Sequence, residues 1–151
     1  MTEDFQEKYG AEVLPQLLAV LDDPVPRVSA HCCSAITNFM DGASEDLVKQ
    51  FLIPLSQKLQ TLMKSGISIQ KENAVTAFAT TVVVVKEQFD PHFAETTALL
   101  LACLNENQEH PYRQFRAQII EAITLIASAV TPAIFRACSD DIIAHMMAIQ
   151  T

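Results

Sequence analysis

The 151-residue chain has no tryptophan, two tyrosines and only three glycines. A β-sandwich or barrel needs turn signals every ~8–12 residues, and three glycines supply few of them. No G-x-G occurs, so the phosphate-cradling turn of a nucleotide-binding α/β fold is missing. Bases are also scarce: ten Lys and Arg stand against 18 Asp and Glu, a formal charge of -8. Without clustered cations to neutralise phosphates, the balance argues against DNA or RNA as a partner. It suits a basic protein or peptide, and it also simply aids solubility. Cys32, Cys33, Cys103 and Cys138 form no C-x-x-C, and no histidine sits at zinc-ligand spacing from a cysteine pair. His31 adjoins Cys32 and Cys33, but adjacent helical residues do not face one another. The expectation is reduced thiols in a cytosolic or nuclear compartment, with no metal and no cofactor. G-x-S-x-G, H-E-x-x-H and the phosphate loop are absent, so no enzyme is expected. The paired carboxylates Asp22-Asp23 and Asp140-Asp141 read as helix-end caps. Met1-Thr2-Glu3-Asp4 does not resemble a secretory leader, and Glu121 and Pro132 interrupt the longest apolar stretches, so no membrane span is expected.

What is present is apolar residues at helical spacing. Half the chain is apolar, enough for a sizeable core. Val13, Leu14, Leu17, Leu18 and Leu21 predict a helix over 5–21, with Pro15 inside it and Asp22-Asp23-Pro24 at its end. The next helix, Arg27 to Met40, places Val28, Cys32, Ala35, Ile36 and Phe39 on one face and closes at Asp41-Gly42. A second pair follows over 45–63, with Pro54 inside, and 69–87, separated by Ser65-Gly66. Val82 to Val85 favour a strand by propensity, but the helical pattern runs through them. The third pair is Phe93 to Leu104 and Tyr112 to Val130, joined by the polar turn 105–111. A last helix spans 133–149, divisible near Cys138-Ser139-Asp140-Asp141; Met146-Met147 pack on a further repeat or offer a promiscuous apolar surface.

Three alanine pairs repeat along this pattern: Ala30/Ala35, Ala74/Ala79 and Ala117/Ala122, at steps of 44 and 43 residues. A period of about 40–47 residues marks paired-helix HEAT or armadillo repeats. The expected fold is therefore all-α, an α-solenoid with units near 5–42, 44–88 and 91–131 and a partial unit over 132–151. Such a chain makes an extended binding surface rather than a catalytic pocket. The alanines are expected to let each second helix approach its neighbours closely, so that Leu at position 35 or 79 would overpack the crossing. Arg27 and Arg116, with Lys71 in the corresponding place of unit two, are expected to bond turns or helix ends of adjacent repeats.

Val13-Leu14-Pro15, Leu21-Asp22-Asp23, Arg27-Val28, Ala30 and Ala35-Ile36 resemble the HEAT consensus. Arg27 to His31 with Ile36 to Phe39, and Arg116 with Ile120 to Ile126, are similar to the middle of the importin-β (karyopherin-β) family, a likeness running over essentially the whole chain. That resemblance implies an interior segment of a nuclear transport receptor shuttling between cytoplasm and nucleus. It implies basic cargo signals, Ran-GTP and Phe-Gly nucleoporin segments as partners. It also implies second helices on a concave inner face and first helices outside. The face of the second helices opposite the core carries Ser34, Asn38 and Asp41 in unit one and Glu121, Thr124 and Ser128 in unit three. These six are the candidate partner-binding residues, a polar ladder interrupted in unit two by Val82 and Val83. The alternative function is a HEAT scaffold of another class, such as a phosphatase scaffold or assembly platform. Uncapped repeats leave apolar surface open, so self-association of the isolated segment is also expected.

Overall fold

The computed structural model describes residues 3–149. The leader-free reading of Met1 and Thr2, and the last two positions of the fourth unit, Gln150 and Thr151, lie outside them. The described residues form seven α-helices and no strand: α1 Glu3–Val20, α2 Pro26–Met40, α3 Glu45–Ser65, α4 Ser68–Val85, α5 Phe93–Glu106, α6 Arg113–Ala129 and α7 Pro132–Ile149. Two 3-10 helices, Lys86–His92 and His110–Tyr112, connect them.

Local chemistry sets the boundaries. Pro26 opens α2, where its missing N–H costs nothing. Ser44 caps α3 by accepting from the Leu47 N–H, with Glu45 and Asp46 in the first turn and Lys64 in the last, each sign matched to the helix dipole. Gln70 reaches back from α4 to accept from the Ile67 N–H. Pro15 and Pro54 lie within α1 and α3 without ending them. Both are on exposed positions, where water serves the carbonyl that lacks its donor.

Odd-numbered helices form one layer and even-numbered helices the other. In the second layer α2 packs on α4 and α4 on α6; in the first, α1 lies beside α3 and α5 beside α7. The pairs α1–α2, α3–α4 and α5–α6, followed by α7, make the expected solenoid. One continuous core runs between the layers, with Leu14, Ile36, Phe39, Leu55, Leu59, Phe78 and Phe115 fully buried. Each such side chain contributes about 1.5–3 kcal/mol over its exposed state. Gly10 is buried because Leu47 of α3 occupies the space a Cβ would need. Gln6 of α1 donates to the Phe39 and Asp41 carbonyls at 3.1 and 2.6 Å, satisfying acceptors that the end of α2 leaves open.

Several expectations are corrected. Asp140 and Asp141 lie inside a continuous α7, so they cap nothing and the helix is undivided. Asp23 accepts from the Val25 N–H at 2.8 Å within the turn, while Asp22 pairs with Lys58 of α3; α2 itself has no side-chain cap. The valine run stays helical, since Val82 and Val85 are buried, but α4 stops at Val85. Lys86 then takes φ 50°, a left-handed backbone rare for a side chain with a Cβ.

The alanine register also changes. Second helices begin at Pro26, Ser68 and Arg113, spacings of 42 and 45 residues rather than 44 and 43. Counted from those starts, the ninth following positions are Ala35, Ala77 and Ala122, and the fourth are Ala30, Glu72 and Ala117. Residues five apart are about 140° apart around a helix, so a pair cannot share one face. Ala30, Ala74, Ala79 and Ala122 are buried, while Ala35 and Ala117 are exposed. Leu at position 35 would therefore not overpack this chain. Val28, placed on the buried face by the sequence pattern, is 40% exposed.

Candidate peptide groove

The outward face of the second-helix layer follows from the same count. The eighth positions after each helix start are Ser34, Thr76 and Glu121; the twelfth are Asn38, Thr80 and Leu125; the fifteenth are Asp41, Val83 and Ser128. Five of the six candidate residues thus fall into three rows across α2, α4 and α6, and Thr124 lies beside them on α6. Asn38, Asp41, Glu121, Thr124 and Ser128 are exposed and Ser34 is half-buried.

Unit two departs from the expectation in one respect. Val82 is buried and belongs to the core, and the polar positions of α4 are Thr76 and Thr80. Val83 does interrupt its row, at 41% exposure, and Leu125 interrupts the next at 39%. Counting from the breakers Pro24, Gly66 and Pro111, each two residues before its helix start, finds these positions, whereas counting from the alanines displaces them in unit two.

Two open clefts adjoin along this face and share Val83 and Leu125 in their linings. One, about 490 Å³, lies against Thr37, Asn38, Asp41 and Thr80. The other, about 570 Å³, lies against Glu45, Lys86, Glu87 and Ser128. Asn38, Asp41 and Ser128 therefore line a shared groove, whereas Ser34, Glu121 and Thr124 stand on the same face outside it. Glu45 and Glu87 come from outside the second helices, which is why a helix-face reading missed them. The groove thus has an apolar floor, three carboxylates and a single ammonium along its walls. Thr80, Thr124 and Ser128 donate to carbonyls of their own helices, leaving hydroxyl oxygens as acceptors toward solvent. The arrangement supplies acceptors and negative charge for an extended cationic chain.

Two further clefts lie on the first-helix layer. One, about 250 Å³, sits between α3 and α5 beside Ile53, Gln57, Phe89 and His92. The other, about 420 Å³, sits between α5 and α7 beside Ala94, Ala98, Leu101 and Cys138.

The buried thiols are chemically quiet. Burial pushes Cys32 up to about 11 and Cys33 up to about 12, the latter helped by its neighbour Cys32. Burial also raises Cys103, against the opposing pull of the Lys71 ammonium. All four cysteines are free, and no cluster of His, Cys, Asp or Glu among the described residues could hold a metal ion. No described helix is long and apolar enough to cross a membrane.

No protein-family model matches the chain. Among curated proteins it is 29% identical over 139 residues to importin subunit beta-3 of Saccharomyces cerevisiae, covering 91% of this chain and 13% of that protein. It is 23% identical over 124 residues to the probable importin subunit beta-4 of Schizosaccharomyces pombe, covering 82% of this chain and 12% of that protein. The chain thus spans about one eighth of the length of these relatives. Among solved structures, the crystal structure of Kap121p bound to Pho4p matches with a TM-score of 0.88 at 27% identity, over 97% of this chain and 14% of that one. Kap121p bound to Nup53p matches with a TM-score of 0.87 at 28% identity, over the same shares. In both sequence and fold, the chain is similar to a HEAT-repeat segment of the importin-β family.

Proposed function

We propose that the chain is an interior segment of a nuclear transport receptor, and that its second-helix groove seats an extended basic peptide of the cargo-signal class. The groove around Val83 and Leu125, bordered by Asp41, Glu45 and Glu87, carries this reading. Its apolar floor accepts one aliphatic side chain, and its carboxylates meet flanking Lys or Arg. Asn38 and Thr80 offer polar groups to the peptide backbone. Ser34, Glu121 and Thr124 extend the polar face beyond the groove for a longer ligand. Support comes from the likeness to Kap121p, which has been crystallised bound to Pho4p and to Nup53p.

By the same reading the receptor shuttles between cytoplasm and nucleus, binds Ran-GTP, and contacts Phe-Gly nucleoporin segments. The outer clefts beside Ile53 and Leu101 suit an inserted phenylalanine ring. An anisotropy titration of a labelled lysine-rich peptide tests the cargo part. Binding should weaken as salt is raised, since exposed charges are screened beyond ~8 Å at physiological ionic strength. Equal affinity for an acidic peptide of the same length would sink the reading. A scaffold of another class would bind the basic peptide without Ran-GTP, so Ran-GTP binding by the full-length receptor separates the two.

A further inference from the structure

The groove has α4 at its centre, with α2 and α6 on its flanks. Four charged side chains border it, and among the described residues none of them makes an ion pair or a side-chain hydrogen bond. Asp41, Glu45 and Glu87 suit the basic ligand proposed above. Lys86 does not, since an ammonium on the wall repels the cations of that ligand.

Lys86 is also the one described residue other than glycine with a positive φ. Its φ of 50° and ψ of -127° lie near the first central position of a type II′ turn, where glycine dominates. The backbone is held there as the Lys86 N–H donates to the Val82 carbonyl at the end of α4. Strain of this kind, in a residue with a Cβ, recurs at ligand-binding positions. Here the strained residue is exposed and carries the groove's single cation.

The two ends of the groove differ in charge. Val83 and Leu125 line both clefts, while Asp41 borders one and Lys86 the other. The order along the groove is therefore carboxylate, apolar floor, ammonium. Asp41 is the C-cap of α2, where the negative end of the helix dipole adds to its charge. Glu45 stands in the first turn of α3, where the positive end of the dipole offsets it, so Glu87 is the main charge opposing Lys86. An acidic group entering at the Lys86 end meets a free ammonium with three donors, whereas at the Asp41 end it meets repulsion.

We infer that Lys86 reads an aspartate or glutamate of the bound peptide. Resting on the groove reading above, this adds a charge pattern to it. The ligand is basic overall but polarised, with Lys or Arg at Asp41, an aliphatic residue on Val83 and Leu125, and a carboxylate at Lys86.

Anisotropy titrations of labelled peptides test this. Side chains on one face of an extended peptide recur at every second residue. The probes therefore place lysine, leucine and glutamate at alternate positions, in both orders, on a lysine-rich background, and each is compared with its glutamine counterpart. In the wild-type chain, loss of the acid should weaken one order about threefold or more, the scale of a single exposed charge pair. The overall charge of -8 alone predicts the opposite, a tighter complex once the acid is gone. In Lys86→Gln the weakening should disappear. It should disappear equally in Lys86→Gly, where the backbone is relieved, with circular dichroism checking the fold of both variants. A glutamine peptide that binds as well as or better than its glutamate parent in both orders would overturn the inference while keeping the groove. So would a weakening that survives both Lys86 variants. Failure of every one of these peptides to bind would sink the groove reading and this inference together.

Discussion

Lys71 shows how one residue can bind two repeats together. Its ammonium is buried, and it is tolerated there because it donates a hydrogen bond to the Asn107 Oδ1 and lies over two ring faces. Lys71→Met strands the Asn107 acceptor and should destabilise the chain by about 1–3 kcal/mol in urea unfolding. The same change made beside Asn107→Leu should cost clearly less than in the wild type, as a double-mutant cycle measures. The cysteines give a second residue-scale prediction. Cys32 and Cys33 are raised by burial from 9.0 to about 11 and about 12, so the folded state holds their protons longer than the unfolded chain does. Their contribution is intact below pH 9 and is lost as pH rises toward 11 and 12. Melting temperature should fall more steeply across that window in the wild type than in Cys33→Ala. The sequence placed Arg116 in a coupling role with Lys71 at the corresponding place of unit two; Lys71 makes such a contact, while the Arg116 Nε is buried without a hydrogen-bond partner. The sequence placed Arg27 in that group too, but Arg27 is exposed and makes no hydrogen bond or ion pair among the described residues. Ser29, two positions on, makes the unit-one contact instead. Two residues are about 200° around a helix, more than a sequence without visible helix starts can resolve.

Elements were the most legible scale, because period and breakers are both local. Seven helices were readable from apolar spacing, and Pro, Gly and acidic turns marked their ends. Two features were hidden because their causes are tertiary. Asp140-Asp141 resembles a helix end in isolation, yet α7 runs through it with Ile142 buried against the core. The end of α4 at Lys86 depends on the turn into the following 3-10 helix, not on any breaker residue. A side chain with a Cβ at φ 50° is strained by about 1–3 kcal/mol. Lys86→Gly should therefore raise stability, by about 1 kcal/mol in denaturant titration, although glycine weakens a helix interior. At the α1–α3 crossing the expectation reverses. Gly10→Val should lower stability by about 1–3 kcal/mol, because Leu47 already fills the space.

At the scale of the whole molecule, repetition turns three polar rows into one surface. The sequence placed six candidate residues on this face, of which Asn38, Asp41 and Ser128 line the groove. It missed the groove's apolar floor and two of its three acids, which converge only when α2, the start of α3, the 3-10 helix after α4, and α6 are brought together. A chain of charge -8 with an amphipathic groove on its second-helix layer is suited to a cationic, extended ligand. Asp41→Lys removes one carboxylate and adds a repulsive charge, and should weaken a lysine-rich peptide about tenfold or more, which corresponds to about 1.4 kcal/mol. The same substitution should leave the melting temperature nearly unchanged, since the Asp41 side chain is exposed. The most direct measurement is an amide NMR titration of the chain with that lysine-rich peptide. Shifts should concentrate at Asn38, Asp41, Thr80, Val83, Leu125 and Ser128 and vanish in Asp41→Lys. Shifts confined to the first-helix layer, or unchanged by the substitution, would contradict the groove as the seat of the ligand.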